Sequence, residues 1–126
     1  MERTIALIKQ FLRMAGWLAL LAILLLSVVP GDLRPHMMPS KQMEHFTAYL
    51  ITALMLALVN PVWWRTIVIA LSLMLYSGIL ETVQLWIPGR TSSVADFAAS
   101  SLGAWCAVFL VPLICRAPFW SGRRVS

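Results

Sequence analysis

The chain has 126 residues, enough for one small domain, and 60% of them are apolar against 12% charged, about half the charged share of a soluble domain. That balance belongs in a bilayer and argues against a soluble enzyme fold. The net charge of +5 does not indicate nucleic acid, because Lys and Arg cluster at the ends of apolar segments, where anionic lipid headgroups lie.

Residues 1–13 carry Arg3, Lys9 and Arg13 at roughly helical spacing, and an apolar run follows from Met14 to Val29. The Ser27-Val28-Val29 sequence before Pro30 lacks a small-x-small cleavage pattern, and three more apolar segments follow. The run therefore reads as a first transmembrane helix over about 12–29 rather than a signal peptide, with Arg13 snorkelling to the headgroups. Pro30-Gly31-Asp32 ends it.

The loop to residue 43 holds Asp32, Arg34, His36 and Lys41, and His36 reads as an ordinary loop histidine. Ser40 is placed to cap a second helix over 41–59, with Glu44 complementing its N-terminus. That start puts Lys41, His45 and Tyr49 on one stripe at i, i+4 and i+8. Asn60-Pro61 closes the helix, and Trp63-Trp64-Arg65 reads as an interfacial anchor.

A third helix over 66–87 carries Glu81 and Gln84 three apart, hence on one face, and Pro88-Gly89 ends it. The fourth, over 94–115, places Asp96, Ser100 and Gly103 on a face with the small residues Ala99 and Ala107, which let another helix approach. Pro112 is expected to kink its end. Cys106 and Cys115 lie nine apart with no C-x-x-C pairing, so they read as small buried or lipid-facing residues rather than a disulfide or metal site. A basic tail follows, with Arg116, Arg123 and Arg124.

The expected fold is all-α, a four-helix transmembrane bundle forming a single domain over 1–126. An even number of crossings puts both termini on one side. Seven of the ten Lys and Arg fall on the terminal side and in the loop after helix two, so the positive-inside rule puts both termini in the cytoplasm. The start of helix two, the end of helix three, the Pro-Gly-Arg loop and the start of helix four then gather at the outer face.

No G-x-S-x-G, H-E-x-x-H, Walker or GxGxxG motif is present, and no internal repeat or broken-helix pair supports a transporter. Polar groups in lipid-length segments nevertheless mark function by default. Helices two and four both present their N-termini at the outer face, where free N–H groups and the helix dipole favour anions, and Lys41 and Arg90 add full positive charges. The expected ligand is an anionic headgroup or phosphate of a lipid or lipid-linked envelope precursor, clamped by Arg90. Lys41, Tyr49, Gln84, Arg90 and Ser100 are the candidate binding residues. His45 and Glu81 are the candidates for proton transfer, oriented by Asp96. A metal held by these three is a weaker variant; the reading assigns no metal and no cofactor, and leaves turnover open.

A structural alternative stands beside it. Ser93-x-x-Asp96 fits a capping box, Glu81 and Arg90 could form a buried ion pair, and Gln84 and Ser100 could be interhelical hydrogen-bond glue.

His45-x-x-x-Tyr49, then Glu81-x-x-Gln84-x-x-x-Pro88-Gly89-Arg90, then Asp96 and Gly103 together resemble the VanZ-like membrane proteins over roughly residues 40–110. The resemblance implies a small four-helix protein of the bacterial inner membrane with a cell-envelope role, in a family named for a member associated with teicoplanin resistance. Two positions depart from the family pattern. Lys41-Gln42 stands where an Asp-Lys pair is common, and Ser100 stands where Asn is common, which weakens any transfer of the glycopeptide association.

Overall fold

The computed structural model describes residues 1–116; Arg123 and Arg124 of the expected basic tail lie outside them. The described residues form four α-helices and no strand: α1 Glu2–Val28, α2 Lys41–Val59, α3 Trp63–Gln84 and α4 Val94–Cys115, with one 3₁₀ turn at Gly31–Leu33. All four helices are long and apolar enough to cross a membrane.

Two helices differ from their expected bounds. α1 begins ten residues earlier, at Glu2, because Glu, Arg, Lys and Gln are good helix formers and nothing breaks the chain before Pro30. Its 27 residues span about 40 Å, more than the roughly 30 Å of a hydrocarbon core. α3 starts and stops three residues earlier than expected. Val62 is its N-cap, so the Trp63-Trp64-Arg65 anchor forms its first turn. At the other end Leu85, Trp86 and Ile87 donate to Thr82, Val83 and Gln84. These i to i−3 bonds tighten the chain ahead of Pro88, which disfavours α geometry in the residue before it. Pro112 lies inside α4, which continues to Cys115.

The core sits between α2, α3 and α4 and is built largely from small side chains: Ala53, Ala70, Ala104 and Ala107, with Tyr49, Leu73 and Val108. Small residues let helix backbones approach closely. At Gly103 a Cβ would collide with the Phe46 carbonyl oxygen, so the α2–α4 crossing needs glycine there. α1 stands at the edge of the bundle, mostly exposed, with Leu7, Phe11, Trp17, Leu18 and Leu21 facing outward. The Tyr76 hydroxyl ties α3 to it by donating to the Leu20 carbonyl at 2.9 Å.

At the end of the bundle that holds the α2 N-terminus, the α1–α2 and α3–α4 loops touch. Gly31 N–H donates to the Pro88 carbonyl at 3.3 Å. Gly89 adopts φ +72, a left-handed conformation that glycine takes without cost, and a Cβ on Gly31 would overlap the Gly89 carbonyl.

Candidate functional site

This end of the bundle collects the buried carboxylates and the buried amide of the spans, Glu44, Glu81, Asp96 and Gln84. Asp96 and Ser100 are fully buried, Gln84 is 1% exposed and Glu81 6%. A charge or amide at such depth needs partners, and the partners divide the site into two parts.

The first part is built on α2, α3 and α4. Lys41, in the first turn of α2, reaches Asp96 Oδ2 at 2.5 Å and also donates to the Thr91 carbonyl at 3.0 Å. Gln42 donates from Nε2 to Asp96 Oδ1 at 3.0 Å. Glu81, in the last turn of α3, accepts the Ser93 N–H at 3.0 Å. One turn along α2 from Lys41, His45 Nδ1 lies 3.1 Å from Ser100 Oγ, while its Nε2 is buried without a partner. His45, Glu81 and Asp96 each bring one ligand-type atom within 4.8 Å of the others. One more turn along, Tyr49 is buried in the core, with Ser77 of α3 buried beside it. The stripe read from the sequence on α2 thus faces α4 and α3.

The second part is a cavity of about 80 Å³ between α1, α2 and the loops, lined by Ser27, Arg34, Glu44, His45, Gln84 and Arg90 among others. A single water needs about 10–15 Å³ on this measure, so a phosphate-sized group fits. Arg34 donates from Nη2 to Glu44 Oε2 at 2.8 Å, and Glu44 Oε1 accepts the N–H groups of Met37 and Met38 at 2.7 and 3.1 Å. Arg34 Nη1 and Gln84 Oε1 are buried and have no partner. Arg90 donates from Nε to the Val29 carbonyl at 3.0 Å and from Nη2 to the Leu26 carbonyl. These are among the carbonyls a helix C-terminus leaves free, so Arg90 caps α1. Burial, and then the neighbouring Arg34 guanidinium, lower the Arg90 pKa from its ordinary value, with Glu81 opposing. Two guanidiniums therefore repel each other across one small cavity.

The family comparison matches the VanZ/LLP1 model over residues 36–115, a stretch that takes in α2, α3, α4 and the loop carrying Arg90. The chain belongs to the VanZ/LLP1 family. No curated protein and no solved structure matches it. The VanZ/LLP1 match contains the whole first part of the site, and of the cavity it omits the α1 residues, Arg34 and Pro35.

Within this VanZ/LLP1 protein the structural alternatives resolve individually. Ser93 Oγ does cap α4, accepting the Ala95 N–H at 3.2 Å. Asp96, however, does not complete a capping box: its carboxylate turns to Lys41 and Gln42, and Glu81 takes the Ser93 N–H. Nor does Arg90 pair with Glu81; it turns to the end of α1. Lys41 is committed to Asp96. The cavity's cationic groups are Arg34 and Arg90, and spacing gave no sign of Arg34, because a loop has no period to read, nor that Glu44 in the first turn of α2 would hold it. The one available signal was charge: an Arg and a Glu flank the Ser40 cap. His36 is exposed, as an ordinary loop residue would be, and Cys106 and Cys115 are free and half-buried.

Proposed function

We propose that this VanZ/LLP1 protein binds the anionic headgroup of a lipid or lipid-linked cell-envelope component in the Arg34–Arg90 cavity, and holds it next to His45. The observation that carries the reading is the cavity itself. It sets two guanidiniums against one carboxylate, leaving one net positive charge, and it contains an unpaired buried donor, Arg34 Nη1, and an unpaired buried acceptor, Gln84 Oε1. A phosphate monoester or hydroxylated headgroup offers acceptors and a donor together, and a guanidinium matches phosphate oxygens in its fork. An apolar groove of about 630 Å³ runs along α1 and α3 past Leu20, Leu24 and Tyr76. It gives an acyl chain a place on the same helix that lines the cavity.

The distribution of Lys and Arg supports cytoplasmic termini and a cavity facing the outer leaflet of the bacterial inner membrane. His45, with two carboxylates near it, is the group suited to proton transfer if the bound headgroup is modified. The direct test is thermal unfolding of the purified protein with added short-chain phosphatidic acid or phosphatidylcholine. A saturable rise in Tm with phosphatidic acid alone is expected; equal response to both lipids would contradict the reading.

The second reading, an accessory membrane protein whose polar cluster holds helices together, draws on the interhelical contacts Lys41–Asp96, Gln42–Asp96 and His45–Ser100. It does not account for the unpaired atoms around the cavity.

A further inference from the structure

The three groups on α2, α3 and α4 form a site of the opposite sign to the cavity. The one ion pair these groups make among the described residues is Lys41 with Asp96, so with His45 neutral the direct contacts leave the Glu81 carboxylate without a paired cation. Buried charge of this kind is costly unless an opposite charge is brought to it. His45 Nε2 supplies a second, independent observation: it is a buried nitrogen with no partner, while the Nδ1 contact with Ser100 fixes the ring. A ligating imidazole is normally held by a hydrogen bond at its other nitrogen.

We propose that His45, Glu81 and Asp96 bind one divalent transition-metal cation, zinc or manganese. One imidazole nitrogen and two carboxylates, brought within 4.8 Å of one another from three helices, suit these ions. Calcium needs six to eight oxygens, and neither cysteine is among the three groups. The ion competes with Lys41 for Asp96 Oδ2. Lys41 can yield, because its side chain is 22% exposed and it already has the Thr91 carbonyl as a partner.

This inference rests on the triad alone and not on the lipid reading, so its test uses the metal alone. The full chain in detergent is stripped with chelator and titrated calorimetrically with zinc chloride and, separately, manganese chloride. One saturable site per chain is expected for at least one of the two. Affinity should fall at least about tenfold in Glu81→Gln and His45→Gln, and about tenfold in Ser100→Ala, which loses only the ring's support. His36→Gln should leave it unchanged, and Lys41→Gln, which removes the competing cation, should tighten it. Absence of a one-per-chain site in the parent overturns the proposal even if every variant fails to fold. So does binding that His36→Gln abolishes and His45→Gln does not.

Discussion

Arg34 and Gln84 show what individual residues contribute here. The Arg34–Glu44 pair is nearly buried, with side chains 11% and 8% exposed, and breaking a buried pair from one side costs about 3 kcal/mol. Arg34→Gln should therefore lower stability by about that amount in thermal or denaturant unfolding. Gln84 works in the other direction. Its Oε1 is buried without a partner, and removing an unsatisfied acceptor recovers roughly 1 kcal/mol. With both proteins stripped of lipid, Gln84→Leu should unfold at a higher temperature than the parent, while a lower one would mean that Oε1 has a protein partner. Glu81→Gln keeps an acceptor for the Ser93 N–H and removes a buried charge that has no ion pair among the described residues, so its stability should stay within about 1 kcal/mol of the parent.

At the level of elements, close approach and capping decide the geometry. Gly103→Ala places a methyl against the Phe46 backbone carbonyl, which cannot give way as a side chain can. A loss of about 2 kcal/mol is expected, and an unchanged unfolding midpoint would show the α2–α4 crossing to be looser than described. The bounds of α2 and α4 were readable because each has a Ser cap followed by an apolar run, and both caps form. The start of α1 was not readable, since hydropathy marks where lipid ends and not where a helix ends. The loop partners were not readable either. Arg90 capping α1 joins residues sixty-odd positions apart, and neither period nor propensity carries that information.

Across the described residues, four helices and two touching loops gather the buried carboxylates and Gln84 at one end, while the exposed Arg3, Arg13, Arg65 and Arg116 lie at the other. The order His45, Tyr49, Glu81, Gln84, Asp96 made a site at one end of the bundle legible. The division of that site by sign was not: a net positive cavity beside α1 and a net negative triad among α2, α3 and α4 depend on how Lys41 and Arg90 are committed, and those contacts exist only in the fold. Gln84 connects the two levels, because the unpaired acceptor that costs stability is also a group the proposed headgroup would satisfy.

The most direct test is native mass spectrometry of the parent and Gln84→Leu, released from membranes under identical conditions. The account predicts that the parent retains one anionic lipid per chain and that Gln84→Leu loses most of it. Equal retention by both proteins, or retention of zwitterionic lipid in place of anionic lipid, would contradict a headgroup site in the Arg34–Arg90 cavity.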